Sequence, residues 1–113
     1  MKLLSDASLL RIFIGESDKI DGRALHEVIV EEVRKRGMAG ATVLRGVLGF
    51  GANSHIHTSR VLRLSEDLPV VVEIIDSEEN IEARLPELDK MIHEGLITME
   101  KVRVIAYRHN TET

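Results

Sequence analysis

Cysteine, tryptophan and glutamine are missing altogether from this 113-residue sequence, and its aromatic side chains come to two phenylalanines and one tyrosine. Without cysteine there is no disulfide framework, no thiolate metal site and no thiol nucleophile. So few aromatics offer no stacking platform for single-stranded nucleic acid, and a formal charge of -4 gives no general attraction to phosphates. Nucleic acid is therefore not expected as a partner. No apolar run approaches the roughly 20 residues of a membrane span. The apolar part of Met1-Lys2-Leu3-Leu4-Ser5-Asp6 is too short for a signal peptide, so a cytoplasmic protein with no direct membrane insertion is expected. Arginine outnumbers lysine two to one, which together with the absent glutamine and cysteine points to a heat-adapted source.

What is present is enough for one core. Hydrophobic residues make up 43% and charged residues 30%, the balance of an ordinary globular chain, and residues 1–113 are read as a single domain. Residues 9–14 form a short apolar run ended by Gly15, a first strand. Asp18 or Asp21 then caps a helix with Leu25, Val28, Ile29 and Val33 at helical spacing, a basic last turn and Gly37 as its stop. Residues 41–48 read as a second strand, and residues 61–64 with 69–75 as a third. Asp76 and Glu79 resemble a capping box for a second helix carrying Ile81, Leu85, Leu88 and Ile92, kinked or restarted at Pro86 and closed by Gly95. Residues 102–107 supply a fourth strand. The order βαββαβ predicts an α+β ferredoxin-like sandwich, with two helices on one face of a four-stranded antiparallel sheet.

Val70 to Ile75 is apolar on both alternating faces apart from Glu73. Helices cover only one face, so the other is expected to meet further subunits. Glu73 is expected to pair with Arg11 or Arg45 across the sheet.

Three groups carry candidate chemistry. The turn Gly49-Phe50-Gly51, reached from Gly40-Ala41-Thr42-Val43, allows positive φ and frees amides for an anion such as phosphate. His55 and His57 stand at i and i+2, where an extended segment points both imidazoles the same way, as a Zn or Cu ion would require. That pattern gives an alternative reading as a metal-binding ion-tolerance protein, by analogy of fold with ferredoxin-like trimers. His26, His93 and Glu73 are the acid/base groups, but no nucleophile, base and orienter form a constellation. The chain is not expected to be an enzyme, slow nucleotide hydrolysis being the alternative.

Gly40-Ala41-Thr42-Val43 leading to Gly49-Phe50-Gly51, Leu68-Pro69 before the apolar strand, and Gly95 followed six residues later by Lys101 together resemble PII-type signal-transduction proteins. The likeness covers nearly the whole length, and is greater to a small uncharacterised PII-like family. It implies a ferredoxin-like homotrimer that binds an adenine nucleotide (ADP, AMP or ATP) in clefts between subunits, needs no obligatory cofactor, and signals through the loop at residues 52–60. Thr42 would then sit near the base, Gly49, Phe50 and Gly51 would form the wall and amide cradle, and Lys101, in a loop before the fourth strand, would meet phosphate. A membrane transporter or channel is the partner the resemblance implies. Thr98-Met99-Glu100 replaces the family's glycine-rich approach to the lysine, which opens the site to a diphosphate, a monophosphate or another anion. No tyrosine lies within residues 52–60, so modification of a loop tyrosine is not the switch.

Overall fold

A computed structural model of the chain describes residues 6–50 and 67–108. Strand β1 (Ala7–Gly15) is followed by a small hairpin of β2 (Lys19–Ile20) and β3 (Arg23–Ala24), helix α1 (Leu25–Lys35), β4 (Gly40–Arg45), β5 (Pro69–Ser77), helix α2 (Glu78–Met91) and β6 (Leu96–Val102). The main sheet runs β4-β5-β1-β6, with every neighbouring pair antiparallel. This is the ferredoxin-like arrangement expected from the sequence.

Alternation along the strands decides where the core lies. Leu10, Ile12 and Ile14 of β1 and Val70, Val72 and Ile74 of β5 share the face on which Leu25, Ile29 and Val33 of α1 and Ile81 and Leu88 of α2 are buried. Among the described residues the opposite face carries no helix. It is built in rows: Leu44, Val71, Phe13 and Leu96 form an apolar row across all four strands, and Thr42, Glu73, Arg11 and Thr98 form a polar row beside it.

Five boundaries differ from the sequence expectation. The first helix does not start from Asp18 or Asp21: Asp21 (φ 52) and Gly22 (φ 80) are both left-handed and close the β2–β3 hairpin, the conformation that an Asp-Gly turn adopts. Helix α1 therefore begins only at Leu25, after Ala24, with no side-chain cap. Its end is as expected, with Gly37 (φ 72) just beyond the basic last turn. The second strand stops at Arg45 rather than running through residues 46–48.

Asp76 does not cap α2. Ser77 does, its hydroxyl accepting from Asn80 N at 3.1 Å, while Asp76 is buried beneath the turn. Ser77→Ala is expected to cost about 1 kcal/mol, read as a lower urea midpoint at unchanged slope. The helix runs through Pro86 without a break, because the exposed ring forfeits one backbone bond in a helix already fixed by Ile81 and Leu88. It ends at Met91, short of Gly95. The last strand is Leu96–Val102, not residues 102–107, because Leu96 to Val102 is the stretch that pairs with Phe13 to Ala7. Beyond it the chain crosses the end of the sheet, and the Tyr107 hydroxyl donates to Ala39 O at 2.8 Å, just before β4. Residues 61–64 lie outside the described residues.

Candidate functional site

The end of the sheet at Gly15 carries the root of the segment between β4 and β5. Gly46 N donates to Pro69 O at 2.7 Å, and Glu16 N to Leu68 O at 2.8 Å. Glu16 and Arg45 form an ion pair across the root, while Ser17 N donates to the Asp67 carboxylate at 3.1 Å. The glycines here serve close approach and not positive φ: a Cβ would come within 2.7 Å of Pro69 Cγ at Gly46 and 3.0 Å at Gly49. Both backbones lie against the proline ring. Past them, Val47, Leu48 and Phe50 are exposed, Phe50 by 72%. Gly49 and Phe50 thus lie at the root, and Gly51 lies outside the described residues. His55 and His57 lie outside them too. Among the described residues no group of three or more metal-ligating side chains is set to hold an ion.

Thr42 is exposed on edge strand β4, on the helix-free face and opposite Glu73. Lys101 is exposed on the other edge strand, opposite Ser8. It lies inside β6 rather than in a loop before the fourth strand, a correction that follows from the shift of that strand towards the N-terminus. Its strand parity matches that of Ile97, which packs on the core, so Lys101 belongs to the helix side. Thr42 and Lys101 are therefore on opposite edges, about 14 Å apart across the sheet and about 10 Å apart along it at ordinary strand spacing, and on opposite faces. The row of Lys101 meets β1 at Ser8, whereas the end of β4 meets it through Val70 at Ile14, about 20 Å further along. One chain does not bring these residues around one small ligand.

The helix-free face has its own charged centre. Arg11 Nε donates to Glu73 at 3.0 Å and Nη1 to Glu100 at 2.8 Å. The expected Glu73 pair is thus with Arg11, while Arg45 goes to Glu16. Its hydrogen bonds to Glu73 and then to Glu100 raise the guanidinium pKa above its ordinary value, so it stays charged at any working pH. Glu100 was missed by sequence reasoning as a partner because it precedes the expected strand at residues 102–107. Its carboxylate belongs to Arg11, so the acidic replacement noted at Thr98-Met99-Glu100 is directed to the sheet. Of the described histidines, His93 is exposed, whereas His26 is half-buried with Nδ1 buried and without a hydrogen-bond partner among the described residues.

Residues 7–104 match the DUF190 family, described as Uncharacterized ACR, COG1993. The chain is 44% identical over 97 residues to a UPF0166 protein of Aquifex aeolicus (strain VF5), covering 86% of this chain and 91% of that one. It is 36% identical over 99 residues to a UPF0166 protein of Methanocaldococcus jannaschii, covering 87% and 91%. A further UPF0166 protein of Aquifex aeolicus is 30% identical over 96 residues, covering 85% and 94%.

Proposed function

The chain belongs to the DUF190 family, the uncharacterised PII-like family to which its Gly-Phe-Gly and Leu-Pro signatures point, and on that premise we propose that it is a small-molecule sensor binding an adenine nucleotide between subunits. The observation that carries this reading is the separation of Thr42, Gly49 and Phe50 from Lys101 on opposite edges of the sheet. A ligand touching both sets needs two copies. In a closed ring each copy lends its β4 edge to one neighbour and its β6 edge to the other, and a homotrimer is the smallest such ring. The apolar row from Leu44 to Leu96 on the helix-free face gives the copies a surface to bury.

In this reading Thr42 donates and accepts at the base edge, Phe50 walls the cleft, the amides at Gly49 and Gly51 receive phosphate oxygens, and Lys101 of the neighbouring copy offsets their charge. The signal is a change in residues 52–60, read by a protein partner, of which a membrane transporter or channel is the type the family likeness suggests. Such a switch works only if the nucleotide prefers one state of that segment. No step of catalysis is required.

Binding of ADP, ATP and AMP to the full chain, read by calorimetry, tests the reading. Lys101→Ala and Gly51→Val are each expected to weaken binding at least about tenfold. When the two variants are exchanged at equal ratio, about one quarter of the clefts regain both intact halves and bind again, as a shared site in a ring demands. A stable monomer by light scattering, or wild-type affinity in both variants, would overturn it.

A further inference from the structure

On the helix-free face, Thr42 of β4 stands directly opposite Glu73 of β5. Side chains so paired have Cβ atoms about 5 Å apart, close enough to touch one edge of the same ligand. Two residues on, that face carries Leu44 opposite Val71, an apolar step about 7 Å further along the strands. Leu44 is 48% exposed and Val71 half-buried. From there β4 leads into the root with Gly49 and Phe50. A polar edge, an apolar bed and a glycine-bearing root thus follow one another along β4 and its exit.

Glu73 is an acceptor with capacity to spare. Arg11 Nε donates to its Oε2 at 3.0 Å, while Arg11 Nη1 goes to Glu100 at 2.8 Å. One guanidinium therefore serves two carboxylates, and Glu73 Oε1 accepts no hydrogen bond among the described residues. The side chain is 27% exposed, so the carboxylate can still be reached. Once a ligand or a neighbouring copy covers this face, a carboxylate oxygen left without a donor is costly. The Thr42 hydroxyl beside it can donate. Together the two ask for a ligand edge with an N–H donor next to an acceptor nitrogen. Adenine has that edge, its 6-amino group lying between two ring nitrogens.

The geometry points to Glu73 as the residue that reads the base: its Oε1 accepts from the 6-amino group of adenine, the Thr42 hydroxyl donates to the adjoining ring nitrogen, and the purine lies on Leu44 and Val71. This rests on the nucleotide-sensor reading and adds to it a base contact from the chain that supplies Thr42. Arg11, by holding Oε2, keeps the carboxylate in place. Phe13 and Leu96, the other half of the apolar row, remain for the neighbouring copy.

The test compares ADP and AMP with the 5′-diphosphate and 5′-monophosphate of purine riboside, which lack only the 6-amino group, by calorimetry on the full chain. Wild type is expected to bind the adenine nucleotide at least about tenfold more tightly than its counterpart, as a hydrogen bond to a charged acceptor allows. Glu73→Met and Glu73→Ala are expected to weaken the adenine nucleotide by a similar factor and to leave the counterpart unchanged, so the preference disappears. Thr42→Val is expected to weaken both alike, because both keep the ring nitrogens. The Glu73 variants leave Arg11 its bond to Glu100 and are expected to fold, which circular dichroism checks. A carboxylate that only ties the sheet together would weaken both ligands equally when removed. That result, or equal binding of the two ligands by wild type, would overturn the assignment while the nucleotide site stands. If wild type binds none of the four, both readings fall.

Discussion

Gly95→Ala is expected to lower the thermal midpoint by roughly 10 to 20 °C. The added Cβ would lie 2.6 Å from Phe13 O, 3.1 Å from Ile92 Cγ2 and 3.2 Å from Ile14 Cγ2. The two methyls can give a little; the oxygen cannot, because Phe13 lies in a strand paired on both sides. The backbone must shift instead, at a cost of about 2–4 kcal/mol. Gly22→Ala is the control. Its glycine is also at positive φ, 80°, but none of the described residues comes within 4 Å of the position, so only the local conformational cost of about 1 kcal/mol remains. Calorimetric scans of the two variants should therefore separate clearly. Equal midpoints would mean that the turn before β6 yields easily and that the Phe13 contact does not hold it.

Asp76 carries the second large effect. Fully buried, its carboxylate accepts from Ala39 N at 2.9 Å, Ser77 N at 2.6 Å and Asn80 Nδ2 at 2.9 Å. These bonds join the turn before β4 to the first turn of α2. Asp76→Ala leaves three donors facing a cavity, and at about 1–3 kcal/mol for each unsatisfied group the loss is expected to reach at least roughly 3 kcal/mol. Asp76→Asn keeps the shape but turns an amide towards a donor, so it should fall between wild type and alanine. Denaturant titration of the three proteins gives the order directly. An alanine variant within about 1 kcal/mol of wild type would show that water replaces the carboxylate at little cost.

The architecture was legible because most elements announce themselves locally. The helical spacing of Leu25, Ile29 and Val33 and the dense apolar run from Val70 to Ile75 locate one helix and one central strand without further information. The interruption at Glu73 was legible as an ion pair because a charge in such a run needs a partner. What was not legible depended on contacts distant in sequence. Leu96 to Met99 and Val102 to Tyr107 are both plausible strands by composition, and only pairing with β1 chooses the first. That choice moved Lys101 into a strand and gave Glu100 to Arg11. The hairpin was a different kind of miss: Asp21-Gly22 is its local signal, and reading Asp21 as a helix cap hid it. For Asp76 and Ser77, two adjacent capping residues compete for one role, and burial rather than propensity assigns it.

The contact of Gly46 and Gly49 with Pro69 has a consequence for engineering. It ties the outgoing and returning legs to one another before residue 51 is reached, so the sheet edge already bears the cost of bringing the ends of residues 51–66 together. Closure of a longer insert grows only logarithmically, about 0.6 kcal/mol for each doubling of length. The edge is in effect an acceptor stem on which foreign peptides of different lengths can be grafted while the core beneath keeps its register.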